Sequence, residues 1–134
     1  MKKDIKIPVV EDVWVAVTLD INKLNEKEWN VCVINNKTSA IEGVLVSSRG
    51  YGSLENDTRR TDTFRHFLDV VDAKSFKKIE PISEEVFGIN NEYWLSFFLD
   101  NKMYDKKYIF LSETIKDEHL VDLPIINKKG VLIK

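Results

Sequence analysis

The stretch from Asn90 to Leu111 constrains the fold more than any other part of the chain, because two apolar runs flank a short polar turn. Both runs are rich in aromatic and β-branched residues, which favour strands. Between them lies Asp100-Asn101-Lys102, where Asn tolerates the left-handed backbone conformation of tight turns. The stretch therefore predicts a β-hairpin around which the rest of the chain packs.

Both faces of the first strand of this hairpin are apolar. One face carries Tyr93, Leu95, Phe97 and Leu99, and the other carries Trp94, Ser96 and Phe98. Such a strand is usually covered on both sides. The cover is either the segment from Glu55 to Val71 or another protein chain. We favour the segment, in which case Trp94→Ala would cost roughly 3–5 kcal/mol of stability.

The pairing register of the hairpin stays open at this point. A two-residue turn would place Leu95 opposite Tyr108, whereas a three-residue loop would pair Phe98 with Lys106. The two registers place different residues of the charged second strand opposite each apolar residue of the first strand.

Other segments alternate between apolar and polar residues, as half-buried strands do. Predicted strands are Ile5–Ile7, Asp12–Asp20, Trp29–Asn35, Ala40–Ser48, Thr61–Val71, Ser75–Ile79 and Gly130–Lys134. Thr61–Val71 also fits a helical stripe, but a strand or an irregular edge segment is favoured because its neighbours are strands. Gly43 within a strand predicts a bulge or a close backbone approach. Single helical turns are predicted at Ser83–Gly88 and Asp117–Asp122.

Seven or so short strands with Asn, Gly and Pro in the turns predict an all-β antiparallel sandwich, and an immunoglobulin-like topology is favoured. No composition shift divides the 134 residues, so residues 1–134 are expected to form a single domain. Ser48–Ser53 contains two of the five glycines and is expected to be a mobile polar connection.

Composition and charge exclude several classes of protein. Lys and Arg total 20 against 22 Asp and Glu, giving a net charge of -2, which argues against nucleic acid as a partner. Cys32 is the only cysteine, so an internal disulfide and a cysteine-based zinc site are excluded. The apolar strand around Cys32 predicts a buried, unreactive thiol.

No motif points to catalysis, a metal or a cofactor. His66 and His119 lack the spacing of metal ligands, and the chain has no G-x-S-x-G elbow, Walker loop or dinucleotide fingerprint. The residues after Met1 do not resemble a signal peptide, and no stretch approaches the roughly 20 apolar residues of a membrane span. We therefore expect a cytoplasmic, non-enzymatic protein with no metal, no cofactor and no membrane partner.

The candidate binding residues are Tyr51, Arg60, Arg65 and His66. Arginines 59, 60 and 65 cluster beside His66, and guanidinium groups hold phosphate or carboxylate in bidentate fashion. The alternative for this cluster is a solvated charged edge that prevents pairing between sheets. Tyr51 stands between two glycines on a predicted flexible loop, where an aromatic ring either contacts a partner or covers a sheet edge.

Two resemblances extend this picture. The run W-N-V-C-V-I-N-N-K-T-S-A-I-E-G-V-L-V, Trp29 to Val46, resembles the opening hairpin of immunoglobulin-like and fibronectin-type modules. The motifs D-V-W-V-A-V, S-S-R-G-Y-G, T-D-T-F-R-H, N-N-E-Y-W and Y-D-K-K-Y-I-F together resemble a family of small uncharacterised bacterial proteins, sometimes labelled phenylalanyl-tRNA synthetase alpha subunit. The arginine-bearing catalytic motifs of a class II synthetase are absent, so the resemblance does not imply aminoacylation.

These observations together favour a protein-binding or scaffolding module, monomeric or weakly dimeric, whose partner the sequence does not identify. Aromatic residues and arginine provide most hot-spot energy, which makes Tyr51, Arg65, Trp14 and Trp94 the candidate anchors. One alternative is a nucleic-acid accessory protein related to tRNA or translation. The other is a small ligand-binding protein or enzyme with an anion site near Arg65 and His66.

Overall fold

The computed structural model describes residues 8–134, which form two antiparallel sheets packed face to face. The nine strands of these residues are β1 Val13–Ile21, β2 Lys27–Asn35, β3 Ile41–Tyr51, β4 Phe64–Val71, β5 Ser75–Pro81, β6 Asn90–Leu99, β7 Lys102–Phe110, β8 Val121–Asp122 and β9 Lys129–Ile133. Sheet A has the order β5-β2-β1-β9-β8, and sheet B has the order β4-β3-β6-β7. The all-β antiparallel sandwich is thereby confirmed.

The helical content of the described residues is two short 3₁₀ turns. They span Glu84–Val86 and Asp117–His119, within the two segments predicted as single turns. The hydroxyl of Ser83 caps the first turn by accepting a hydrogen bond from the backbone N–H of Glu85. Residues 8–134 contain no helix long and apolar enough to cross a membrane. The predicted strand Ile5–Ile7 lies outside the described residues.

The strand order agrees with part of the immunoglobulin pattern. The order β1-β2-β5 corresponds to the immunoglobulin strands A-B-E, and β4-β3-β6-β7 corresponds to C′-C-F-G. However, β9 and β8 extend sheet A beyond β1, where that pattern has no strand. The immunoglobulin-like topology therefore stays a prediction.

The main core lies between the two sheets. Alternate residues of β1, β2, β3 and β6 point into it, as the period-2 pattern predicts. Its largest fully buried side chains are Tyr93, Tyr108, Phe97 and Phe110. The Tyr108 hydroxyl donates a hydrogen bond to the carbonyl of Val13, which joins β7 to β1 across the core. Burial raises the pKa of Tyr108 because the ionised phenolate loses its hydration.

The run from Trp29 to Val46 is not a hairpin, contrary to the resemblance suggested for it. Strand β2 lies in sheet A and β3 in sheet B, so the chain crosses between the sheets at residues 36–40. The fully buried Asn35 holds this crossing. Its Nδ2 group shares two N–H donors among the carbonyls of Ser39, Val71 and Asp72, at 2.9, 3.1 and 3.0 Å. The last residue of the predicted strand Trp29–Asn35 thus fixes the crossing through buried hydrogen bonds.

The glycines of β3 explain why the predicted end of this strand was wrong. Ser48 to Tyr51 continue β3 and pair with β6. Gly50 is buried, and a Cβ there would lie 2.8 Å from a carbon of Ile89, so this glycine permits close packing within the sheet. Gly43 has a φ of +56° at the register shift between β3 and β6, which confirms the predicted bulge.

The hairpin of β6 and β7 exists, but both registers considered for it were wrong. Leu95 lies opposite Lys106, and Phe98 lies opposite Met103. The two-residue turn is Asp100-Asn101, with φ values of 51° and 62°. Positive φ at both central residues defines the type I′ turn, whose twist matches the flanking strands. Asp tolerates this conformation as Asn does, so the turn occupies the first two residues of the predicted Asp100-Asn101-Lys102 segment, and Lys102 already belongs to β7.

Candidate functional site

The outer face of sheet B is open, which overturns the expected intramolecular cover. Trp94 is 45% exposed and Phe98 is 48% exposed. The segment expected to lie over them instead forms β4, which extends sheet B edge to edge beside β3. The segment pairs with the edge of β3 and does not cross the face, because pairing at a free sheet edge satisfies its backbone N–H and C=O groups.

The strand register arranges the outward side chains of this face in rows across the sheet. One row, called the Phe67 row, consists of Phe67, Leu45, Ser96 and Asp105. The next, called the Trp94 row, consists of Arg65, Ser47, Trp94 and Lys107. Beyond the Phe67 row lie Phe98 and Met103, which are paired with each other. Five large apolar side chains of this face are exposed: Leu45, Phe67, Trp94, Phe98 and Met103.

A shallow depression lies at the centre of this face. Leu45, Ser47, Trp94, Ser96, Met103 and Asp105 line it, and its volume is about 190 Å³. The two serines form its floor because they are the small residues between larger neighbours on adjacent strands. A surface with a small-residue floor and a large-residue rim can receive a protruding side chain from another molecule.

Charged neighbours hold the indole of Trp94. The ammonium of Lys107 lies 4.5 Å from the centroid of a Trp94 ring, a cation–π contact. The indole Nε1 donates to a carboxylate oxygen of Asp105 at 3.3 Å. Both partners lie on β7, so the exposed ring is oriented by one neighbouring strand. A ring fixed in this way loses little conformational freedom on binding.

Two of the four predicted site residues, Tyr51 and Arg60, lie close together. Tyr51 is the last residue of β3 and forms a β-bridge with Arg60. The Arg49 guanidinium carbon lies 5.3 Å from the Tyr51 ring centroid, and Arg49 Nε donates to Glu92 at 3.1 Å. Tyr51 is therefore a half-buried strand residue, and its expected position on a flexible loop was wrong.

Arg65 and His66 point to opposite faces of β4. Arg65 lies opposite Ser47 on the outer face, whereas His66 lies opposite Val46 and faces inward. His66 Nε2 is 2.7 Å from a carboxylate oxygen of Glu80, which lies on β5 of the other sheet. The two side chains consequently do not converge on one anion, and an anion beside His66 would meet the carboxylate of Glu80.

Glu80 is the centre of a polar cluster that sequence reasoning missed. Its carboxylate accepts hydrogen bonds from the Ser48 hydroxyl at 2.8 Å and the Tyr93 hydroxyl at 2.9 Å, in addition to its contact with His66. Burial and the adjacent carboxylate raise the pKa of Tyr93. Three residues of sheet B thus bind one residue of sheet A, which ties the sheets together at their β4 and β5 edges.

A cavity of about 170 Å³ opens beside this cluster. Glu80, Ser48, Tyr93 and the half-exposed Phe64 are among its lining residues. The Ser48 hydroxyl donates to the Glu80 carboxylate and not to His66. No buried side-chain nitrogen or oxygen atom of residues 8–134 lacks a hydrogen-bond partner. The hydrogen bonds within the cluster link the two sheets.

The loop between β3 and β4 has its own ion pair. Arg59 Nη2 lies 2.9 Å from an Asp57 oxygen. Hydrogen bonds from Arg59 lower the pKa of Asp57, and the same carboxylate raises the pKa of Arg59. Within residues 8–134, no group of three or more His, Cys, Asp or Glu side chains is placed to hold a metal ion.

Comparisons with known proteins add no assignment. No protein-family model, no curated protein and no solved structure matches this chain. The functional argument therefore rests on the chemistry and geometry of the chain itself.

Proposed function

We propose that this chain is a non-enzymatic protein-binding module of the cytoplasm, and that its contact surface is the outer face of sheet B. The observation that carries the proposal is the exposure of five large apolar side chains on one continuous sheet face. Exposed apolar patches of this kind mark interaction surfaces, whereas isolated exposed apolar residues are ordinary.

The composition of the face supports protein recognition. Aromatic residues, Met and Arg are enriched at protein interfaces, and Trp and Arg provide much of the hot-spot energy. Trp94, Phe98, Met103 and Arg65 supply these residue types on one face. We assign Trp94 as the central anchor, because its ring is both exposed and held in place.

The test is a comparison of two matched serine substitutions in affinity capture from a cell extract. Ser96→Arg places a long charged side chain in the floor of the depression and is expected to abolish capture of the partner. Ser53→Arg makes the same change in the exposed loop after β3 and is expected to leave capture unchanged. Circular dichroism of both variants establishes that they are folded. Equal capture by the two variants would contradict the proposal, as would capture of nothing by a wild type that also fails to self-associate.

Nucleic-acid binding is the second candidate, and one observation favours it. Bases of single strands stack on aromatic side chains of open sheets, and Trp94, Phe98 and Phe67 are exposed on such a sheet. The charges of the face are balanced, however, since Arg65 and Lys107 are accompanied by Asp105 and the exposed Glu42. A titration of single-stranded RNA at several salt concentrations separates the candidates, because phosphate contacts give a steep salt dependence.

A further inference from the structure

The two central rows of the sheet B face carry complementary charges. Asp105 ends the Phe67 row on β7, and Lys107 ends the Trp94 row on the same strand. A two-fold axis in the plane of the face, perpendicular to the strands and between the rows, exchanges the two rows. The rotation brings Asp105 of one copy to Lys107 of a second copy and repeats the contact in reverse. A self-complementary contact of this kind is what an isologous dimer requires.

The same rotation matches large side chains with small ones. Trp94 of one copy comes over Ser96 of the second, and Leu45 comes over Ser47. Ser96 and Ser47 form the floor of the 190 Å³ depression, so each copy offers a protruding ring and a recess at matching positions. Arg65 comes to the exposed ring of Phe67 of the second copy, where a guanidinium binds an aromatic face favourably.

In the next rows outward, the side chains on β3 and β7 are also complementary under this rotation. Glu42 and Met103 lie in the row beyond the Phe67 row, and Arg49 and Ile109 lie in the row beyond the Trp94 row. Exchange of these rows places Glu42 near Arg49 and Met103 near Ile109. Charges of opposite sign and apolar side chains therefore meet their counterparts at both margins of the face.

Phe98 is the least well matched residue of these outer rows, because the rotation brings it near Glu92. The carboxylate of Glu92 accepts a hydrogen bond from Arg49 of its own copy at 3.1 Å, and the Glu92 side chain is largely buried. The neutralised carboxylate therefore presents little free charge to the ring of Phe98.

The face is large enough to supply much of the area that a standard dimer interface buries. Four strands of eight or more residues cover roughly 19 Å by 26 Å, because strands lie about 4.8 Å apart and rise about 3.3 Å per residue. The relief of the side chains adds to this projected area of about 500 Å², which brings it toward the roughly 800 Å² per partner of standard interfaces. A net charge of -2 adds little repulsion between copies.

We propose that the outer face of sheet B binds the same face of a second copy of this chain, in an isologous pair with Asp105 of each copy against Lys107 of the other. This inference rests on the proposed protein-binding function, and it names the partner. The arrangement is face-to-face packing of two sheets, as within a single β-sandwich.

A charge-reversal cycle in sedimentation equilibrium tests the pairing. Asp105→Lys places two ammonium groups together, because the introduced side chain meets Lys107 of the second copy, and Lys107→Asp places two carboxylates together. Each single reversal is expected to weaken dimerisation by at least about tenfold, because it introduces two like-charge contacts per dimer. The double variant Asp105→Lys/Lys107→Asp restores opposite charges and is expected to recover dimerisation to within about threefold of wild type.

Two further variants keep the result interpretable. Asp122 and Lys129 form an exposed ion pair at 3.0 Å on sheet A, so reversing either charge there is a matched control that leaves dimerisation unchanged. Ser96→Arg blocks the recess and places a guanidinium beside Asp105, its cross-strand neighbour, and is expected to give a monomer. Circular dichroism confirms the fold of each variant.

A wild type that stays monomeric at every concentration would overturn the inference, as would a dimer that the reversals leave intact or that the double variant fails to recover. Failure of self-association with continued, Ser96-dependent capture of a different protein would overturn only the choice of partner. Loss of both results would overturn the proposed function as well.

Discussion

The two sheets carry a tryptophan each on their outer faces, and the two rings have opposite surroundings. Trp14 on β1 is 9% exposed, whereas Trp94 on β6 is 45% exposed. Each ring has a lysine ammonium over it, from Lys134 at 4.7 Å and from Lys107 at 4.5 Å. The difference lies in the cover: Trp14 belongs to a second small core with Leu123 and Ile126, and no segment of residues 8–134 covers Trp94 in this way.

The cover of sheet A, defined here as residues 123–128, depends on the connection between β8 and β9. The N–H of Leu123 donates to the carbonyl of Lys128, which closes the segment as a loop over the sheet. Gly130 permits close approach, since a Cβ there would lie 2.3 Å from the carbonyl oxygen of Val17. The comparison teaches that this chain buries one outer face with its own residues and leaves the other for an external contact.

The largest expected effect follows from removing the covered tryptophan. Trp14→Ala leaves a cavity under the cover, so we expect the free energy of unfolding to fall by about 3–5 kcal/mol. Urea denaturation followed by circular dichroism measures this loss. A loss no larger than that caused by Trp94→Ala would show that the cover does not seal the second core.

Truncating the cover itself is expected to have the next largest effect. Ile126 is 2% exposed and packs in the second core. Ile126→Ala should lower the free energy of unfolding by about 2–4 kcal/mol. Val121→Ala is the matched control, since it shortens an exposed β-branched residue of β8 and should cost less than about 1 kcal/mol. Similar losses in the two variants would mean that the cover contributes no more than a surface strand.

The pKa of the Cys32 thiol depends on how well the same cover excludes water. Its thiol is buried in the second core, as predicted, and burial raises its pKa to about 11 from a usual value of 9.0. The folded state therefore holds the proton more tightly than the unfolded state. The resulting stability is present below pH 9 and is lost between about pH 9 and 11, by up to about 2–3 kcal/mol.

Denaturation of wild type and Cys32→Ala across this pH range isolates the contribution of the thiol, because other groups titrate equally in both proteins. The difference between them should shrink as pH rises. Thiol labelling without denaturant should be slow in the wild type and faster in Ile126→Ala, where the cover is cut back. Rapid labelling of the wild type would contradict the sealed environment of Cys32.

Local patterns predicted the strands well, because alternation of apolar and polar residues follows directly from strand geometry. The faces of β6 were also predicted: Tyr93, Leu95 and Phe97 are buried, and Trp94 and Phe98 lie on the other side. What covers each face was not predictable, since it depends on where a distant segment finds its hydrogen bonds. The segment leading to Val71 forms its backbone hydrogen bonds with the edge of β3.

The candidate site shows the same limit. Arg65 and His66 are adjacent in sequence, but alternation along β4 sends them to opposite faces, which the undecided secondary structure of this segment obscured. Glu80 had no local signal, because its partners Ser48 and Tyr93 come from the other sheet. Contacts between sheets depend on the topology of the fold, which local sequence patterns do not reveal.

The smallest expected effect is the one for which sequence reasoning predicted the most. Trp94→Ala should lower the free energy of unfolding by only about 1–2 kcal/mol, because the open face leaves no closed cavity and the loss is limited to cross-strand contacts. The measurement is urea denaturation at protein concentrations low enough to exclude self-association.

Repeating the denaturation at high protein concentration sharpens the comparison of the two faces, because a dimer is stabilised by mass action. The difference in unfolding free energy between wild type and Trp94→Ala should grow with concentration. The difference between wild type and Trp14→Ala should stay constant. A loss for Trp94→Ala of about 3–5 kcal/mol at low concentration, equal to that expected for Trp14→Ala, would mean that Trp94 is covered within the monomer and that the face is not available for binding.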